Sequence, residues 1–190
     1  MQSTYKYGFR KPENYVFKSG KGLNRAVVED MCVRKGEPLW MREYRLKALT
    51  VFIRESMPPW GGDLSGINFD DIFYYIQPTD KKVSRWEDLP EEIRDTYDRI
   101  GIPEAEKKFL SGVSAQYESE VVYKSINAAL QKKGVVFLDM DSGLREHPEI
   151  VKKYFGSVIP SGDNKFSALN SSVWSGGSFV YVPKGVRVDL

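Results

Sequence analysis

Apolar residues along the chain recur first at helical spacing and later at strand spacing. Leu23, Val27 and Met31 stand one turn apart around Asn24, and the run stops at Gly36 after the basic pair Arg34 and Lys35. That pattern predicts a short amphipathic helix with a glycine stop. Pro38 opens a second helix, since a first-turn residue needs no helical partner for its N–H. Met41, Tyr44, Ala48 and Phe52 form its apolar stripe up to Pro58 and Pro59. Arg42, Glu43, Arg45, Lys47 and Arg54 lie to the other side, as a solvated or salt-bridged face, with Arg45 and Lys47 expected in ion pairs. Trp40, Met41, Leu46 and Leu49 are expected to pack.

Residues 58–66 form a loop by their proline and glycine content, with Trp60 expected as a plug over the core. Residues 67–78 read as extended around Phe73, Tyr74, Tyr75 and Ile76. Pro90 opens a third helix through Ile93, Tyr97 and Ile100 to Gly101, and Pro103 a fourth, short one.

From Val113 the texture changes. Residues 121–123 and 135–138 read as strands, and between them Ile126, Ala129 and Leu130 form a helical stripe closed by Gly134. Pro148 starts a helix through Ile150, Val151, Tyr154 and Phe155 to Gly156. Asp163 or Asn164 caps another that holds Phe166, Leu169 and Val173. After Gly176 and Gly177 the chain reads as strand, sharp turn at 183–185, and strand. A terminal strand without a following partner leaves its peptide groups unpaired, so the end is read as a cut.

Composition narrows the classes. In 190 residues, 41% are hydrophobic and 13% aromatic, enough for a real core, and the formal charge is +2. The charge is uneven: 1–60 carry twelve basic and six acidic residues, and 61–119 carry seven and thirteen. The simplest account is packing of the basic third against the acidic one. So small an excess argues against nucleic acid as a partner, despite aromatic and basic residues interleaved at 42–45 and 152–154. No apolar run approaches the roughly 20 residues of a membrane span, and no signal peptide is seen at the start. One cysteine, Cys32, makes no internal disulfide and fits a reducing, cytoplasmic setting.

The chemistry-bearing residues are sparse. Metal candidates are Cys32, His147, Asp139, Asp141, Glu146 and Glu149, without the spacing of a zinc site. His147 precedes a helix-starting proline, where local backbone bonding is its simpler role. Cys32 reads as a packed thiol. A serine triad would need His147 as its base and has no G-x-S-x-G elbow, and the glycines around Lys21 and at 176–177 lack the phosphate-cradle spacing. Asp70 with Asp71, and Glu91 with Glu92, read as loop or helix-start charges. No catalytic, cofactor-binding or metal-binding residue is assigned.

Three blocks carry a resemblance. Residues 37–48, E-P-L-W-M-R-E-Y-R-L-K-A, are similar to the E-P-x-W-M-x-x-x-R-L-K-A segment near the N-terminus of SufB-type proteins of the SufB/SufD family. Residues 145–160 resemble that family's R-E-H-P-E-x-V-K-K-Y-x-G-S-V-x-P. Residues 168–171 and 177–186 resemble its A-L-N-S and G-S-F-V-Y-x-P-K-G-V. Tyr7-Gly-Phe and Gly101-Ile-Pro also match, so the resemblance covers nearly the whole chain. The first two blocks favour the SufB type over SufD. The resemblance implies an α+β fold: a mainly helical N-terminal region with a few strands over 1–158, then the first rungs of a right-handed parallel β-helix over 159–190. It implies a non-enzymatic scaffold for iron–sulfur cluster assembly, with SufC and SufD and the remainder of SufB as partners and ATP hydrolysis in SufC. The family's reacting cysteine and carboxylate lie on later rungs. This stretch is therefore expected to bind no cofactor by itself. A free-standing interaction domain derived from the family, a SufD-type subunit, and an enzyme using His147 are the alternatives.

Overall fold

The structure, a computed structural model, describes residues 15–80, 83, 86–101, 112–126 and 128–188. In chain order its elements are β1 (Phe17–Lys18), α1 (Arg25–Lys35), α2 (Leu39–Arg54), β2 (Ile76–Gln77), α3 (Glu91–Ile100), β3 (Gly112–Tyr117), β4 (Glu120–Ile126), α4 (Ala128–Lys132), β5 (Val136–Asp139), α5 (Met140–Glu146), α6 (Pro148–Tyr154), α7 (Lys165–Val173) and β6 (Ser178–Tyr181). Single 3-10 turns fall at Phe69–Asp71 and Trp86–Asp88. The class is α+β.

The chain forms two compact units. One comprises Lys18–Ile76 and Met140–Ser175, and the other Met1–Phe17, Gln77–Asp139 and Gly176–Leu190. The first unit is helical. Its α1 begins where the Asn24 side chain accepts from the Val27 N–H at 3.1 Å, and ends where Gly36 takes the left-handed conformation that L side chains resist. Pro38 stands just before α2, which packs lengthwise on α7 and at one flank on α1. Asn164 and Ser167 cap α7 reciprocally, side chain to backbone in both directions. Between the helices lies a core of Val28, Cys32, Leu49, Phe52 and Ala168, extended by Leu23, Leu46, Phe69 and Leu169. Each large apolar side chain buried there contributes about 1.5–3 kcal/mol.

The second unit holds α3, α4 and four of the strands. Pro90 and Gly101 bound α3, whose Ile93 packs with Leu89 against Val83, Trp86, Tyr97 and Tyr117. β3 and β4 form an antiparallel hairpin with a bulge between Ala115 and Gln116. β5 and β6 pair antiparallel, Val136 opposite Tyr181 and Asp139 opposite Ser178.

Several sequence expectations change here. Ile126 ends β4 instead of opening a helix, because its segment is held in register opposite Gly112. α5 was not expected: its four consecutive buried residues, Asp141, Ser142, Gly143 and Leu144, present no apolar stripe to read. Trp60 is 60% exposed and plugs nothing. Residues 186–188 are not strand. The described residues from 159 onward form α7 and β6 and no rung of a parallel β-helix, since β6 takes its ladder from β5 and runs antiparallel to it. The helix expected at Pro103 lies outside the described residues.

Candidate functional site

The helical unit carries paired charges in its interior as well as on its surface. Arg45 sits on the α2 face that meets α7, and its side chain is 0% exposed. It enters the interior with a partner. Glu37, in the turn between α1 and α2, accepts two bonds from it, at 2.7 Å from Nε and 2.5 Å from Nη2, and its own side chain is 1% exposed. The third guanidinium nitrogen, Nη1, donates to the Ser172 carbonyl at 3.2 Å. The planar fork also lies 4.4 Å from the Trp174 ring centroid, a cation–π stack in a dry setting. The two charges cancel, and the fork ties α2 to the end of α7.

A second buried pair lies at the end of α1. Lys35 donates to Asp141 at 2.9 Å and to the Ser175 hydroxyl at 3.1 Å, with the Tyr75 ring 5.7 Å away. Lys165 makes a third tie: its Nζ donates to the carbonyls of Phe52 and Glu55, at 2.7 and 2.8 Å, and so closes the C-terminal end of α2. Tyr44 completes the contact with α6 and α7. Its hydroxyl donates to Ser171 at 3.2 Å, and its ring meets Phe155 edge-on at 5.4 Å.

This arrangement holds helices together; it does not activate a nucleophile. Cys32 lies in the core, and burial, followed by the neighbouring Glu37 carboxylate, pushes its thiol up to about 12. A thiol kept protonated at neutral pH is a poor nucleophile and a poor ligand. The other candidates are scattered. Asp139 is buried at the end of β5 in the strand unit. Asp141 is engaged by Lys35, and His147 is half-buried at the start of α6, next to exposed Glu146 and Glu149. Among the described residues no three His, Cys, Asp or Glu side chains are grouped to hold a metal ion.

Asp71 pairs with Lys21, and Glu91 and Glu92 occupy the first turn of α3, as loop and helix-start charges. Lys47 is exposed and makes no ion pair with the described residues, whereas Arg45 is paired as expected and buried besides. Met41 and Leu49 are buried, while Trp40 is half-buried, so truncating it costs less than the 3–5 kcal/mol typical of an enclosed ring. Sequence reading passed over Glu37 and Lys35 as buried charges. The available signal was an acid placed eight residues before an arginine across a helix start, which lets the two side chains meet behind the turn.

The described residues form an α+β fold whose interior charges join helices. Comparison with known proteins shows what the chain is similar to. Residues 100–190 match the SufBD protein N-terminal region. The chain is 57% identical over 187 residues to an iron–sulfur cluster assembly SufBD family protein of Mycobacterium bovis, covering 98% of this chain and 22% of that protein. It is 55% identical over 185 residues to one of Staphylococcus haemolyticus, covering 97% of this chain and 40% of that protein. The counterpart in Staphylococcus aureus USA300 is 54% identical over the same length. Over nearly its whole length the chain is similar to SufBD family proteins, and it spans 22% to 40% of the length of these relatives.

Proposed function

We propose that this chain is the N-terminal region of a SufB-type scaffold for iron–sulfur cluster assembly, acting with SufC and SufD in the cytoplasm. The observation that carries this reading is the 57% identity over nearly the whole chain to a protein of that assembly family. The packing agrees with an architectural role. The block at 37–48 supplies both halves of the buried Glu37–Arg45 pair, and its Tyr44 meets Phe155 and Ser171 in the other two blocks. The SufB type is preferred to SufD on the first two blocks. In this reading residues 159–190 lead toward a β-helical body, cluster chemistry resides in that body, and ATP is hydrolysed by SufC.

The test is anaerobic reconstitution of the isolated chain with ferrous iron and sulfide, together with pull-downs against SufC, SufD and the remaining polypeptide of SufB. The expected result is no cluster absorbance and capture of the remaining polypeptide. A stable cluster on the 190-residue chain overturns the assignment of chemistry to the body. Capture of intact SufB, with no capture of the remaining SufB polypeptide, identifies a SufD-type subunit instead.

A further inference from the structure

Between α6 and α7 the chain carries an apolar projection that the buried network does not use. Val158 is 90% exposed and Ile159 65%, and Tyr154, at the end of α6, is 58% exposed. Single exposed apolar residues are ordinary, but three bulky ones within six positions form a patch. The base of the projection is fixed. Phe155 turns inward, 5.4 Å from the Tyr44 ring and 5.0 Å from the Trp174 ring. Gly156, at φ +69°, lies so close to Tyr44 that an added Cβ would sit 2.5 Å from its hydroxyl. Ser157 bonds back to the Tyr154 carbonyl through both its N–H and its hydroxyl. A loop held this way loses little freedom on docking, which favours a recognition role over a slack connection.

Within residues 150–162 the charges are of one sign. Lys152 and Lys153 are exposed, and no acidic residue occurs between Glu149 and Asp163. Relatives at 55–57% identity have more than half of their length outside the part matched here. We infer that Val158 and Ile159 dock into an apolar socket rimmed by carboxylates on the remaining polypeptide of a full-length SufBD protein, with Lys152 and Lys153 facing the rim. This inference rests on the proposed function, because that reading supplies the larger body.

The test replaces the matching 185 residues of the Staphylococcus haemolyticus relative with this chain and introduces Val158→Cys, both in that full-length chimera and in the isolated 190-residue chain. Maleimide labelling of residue 158 is then read by peptide mass spectrometry, which separates it from every other cysteine. The expected result is labelling about tenfold or more slower in the full-length protein. Raising the ionic strength is expected to narrow the difference by screening the lysines. Equal rates in the two proteins overturn the inference, as does protection that already appears in the isolated chain and grows with its concentration, which marks a second copy as the occupant. Anaerobic cluster reconstitution of the unlabelled chimera is scored separately. Exposed residue 158 in a cluster-competent chimera sinks the docking inference alone, and a cluster-incompetent chimera counts against the proposed function.

Discussion

Arg45 is the largest fully buried side chain among the described residues, and its environment explains how a permanent charge is tolerated there. Three of its donor groups are satisfied, its charge is cancelled by Glu37, and its face is covered by Trp174. Removing one partner strands the other. Arg45→Ala is expected to cost about 3–5 kcal/mol in urea denaturation, whereas Glu37→Leu combined with Arg45→Met is expected to cost far less, because no buried charge is left alone. Cys32 gives a pH prediction at the same scale. Its thiol is raised from the ordinary 9.0 to about 12, so between those values the folded state keeps a proton that the unfolded chain has released. Its contribution is complete below pH 9 and is lost as pH rises toward 12. Comparing denaturation midpoints of the native chain and Cys32→Ala from pH 8 to 11 should show a flatter alkaline decline in the variant. The native thiol should resist a disulfide reagent until the chain is unfolded.

At the scale of elements, helix boundaries follow local chemistry. Asn24, Pro38, Pro90, Pro148 and Asn164 mark starts, and Gly36 and Gly101 mark stops, because unpaired end groups and forbidden backbone angles act within a few residues. Asn164→Ala removes a side chain that accepts from the N–H groups of Phe166 and Ser167, and is expected to cost about 1 kcal/mol by thermal unfolding. Gly156→Ala is expected to cost about 1–2 kcal/mol from its left-handed backbone, and more if Tyr44 must move to admit the methyl group. The strands behave otherwise. Ile126 and the short β5 have local patterns compatible with more than one state, and their partners in the chain decide the outcome.

For the whole molecule, chain order and spatial units differ. The helical unit is assembled from two separated stretches and the strand unit from three, so the final residues belong with Gln77–Asp139. A chain ending at Ser175 loses β6, the partner of β5, along with the Gly177 N–H that donates to Gln116. Hydrogen exchange is expected to show lost protection at Val136–Asp139 in that truncation, while α1, α2 and α7 keep theirs. Loss of protection throughout would mean that the helical unit depends on the strand unit. No helix among the described residues is long and apolar enough to cross a membrane.

By itself the sequence determined most of the described helices, their caps, the α+β class and the resemblance to SufBD proteins, because each depends on contacts a few residues apart or on blocks readable in order. It also excluded the common phosphate and zinc patterns. The tertiary structure decided what those residues do: that Arg45 is enclosed and not on a wet face, that Asp141 answers Lys35, that Trp60 stands in solvent, and that β6 runs antiparallel to β5. Glu37 and Arg45 are eight positions apart, but their burial requires Ser172 and Trp174. No local pattern encodes that meeting, since it exists only once α7 has folded back onto α2 and water has been expelled between them.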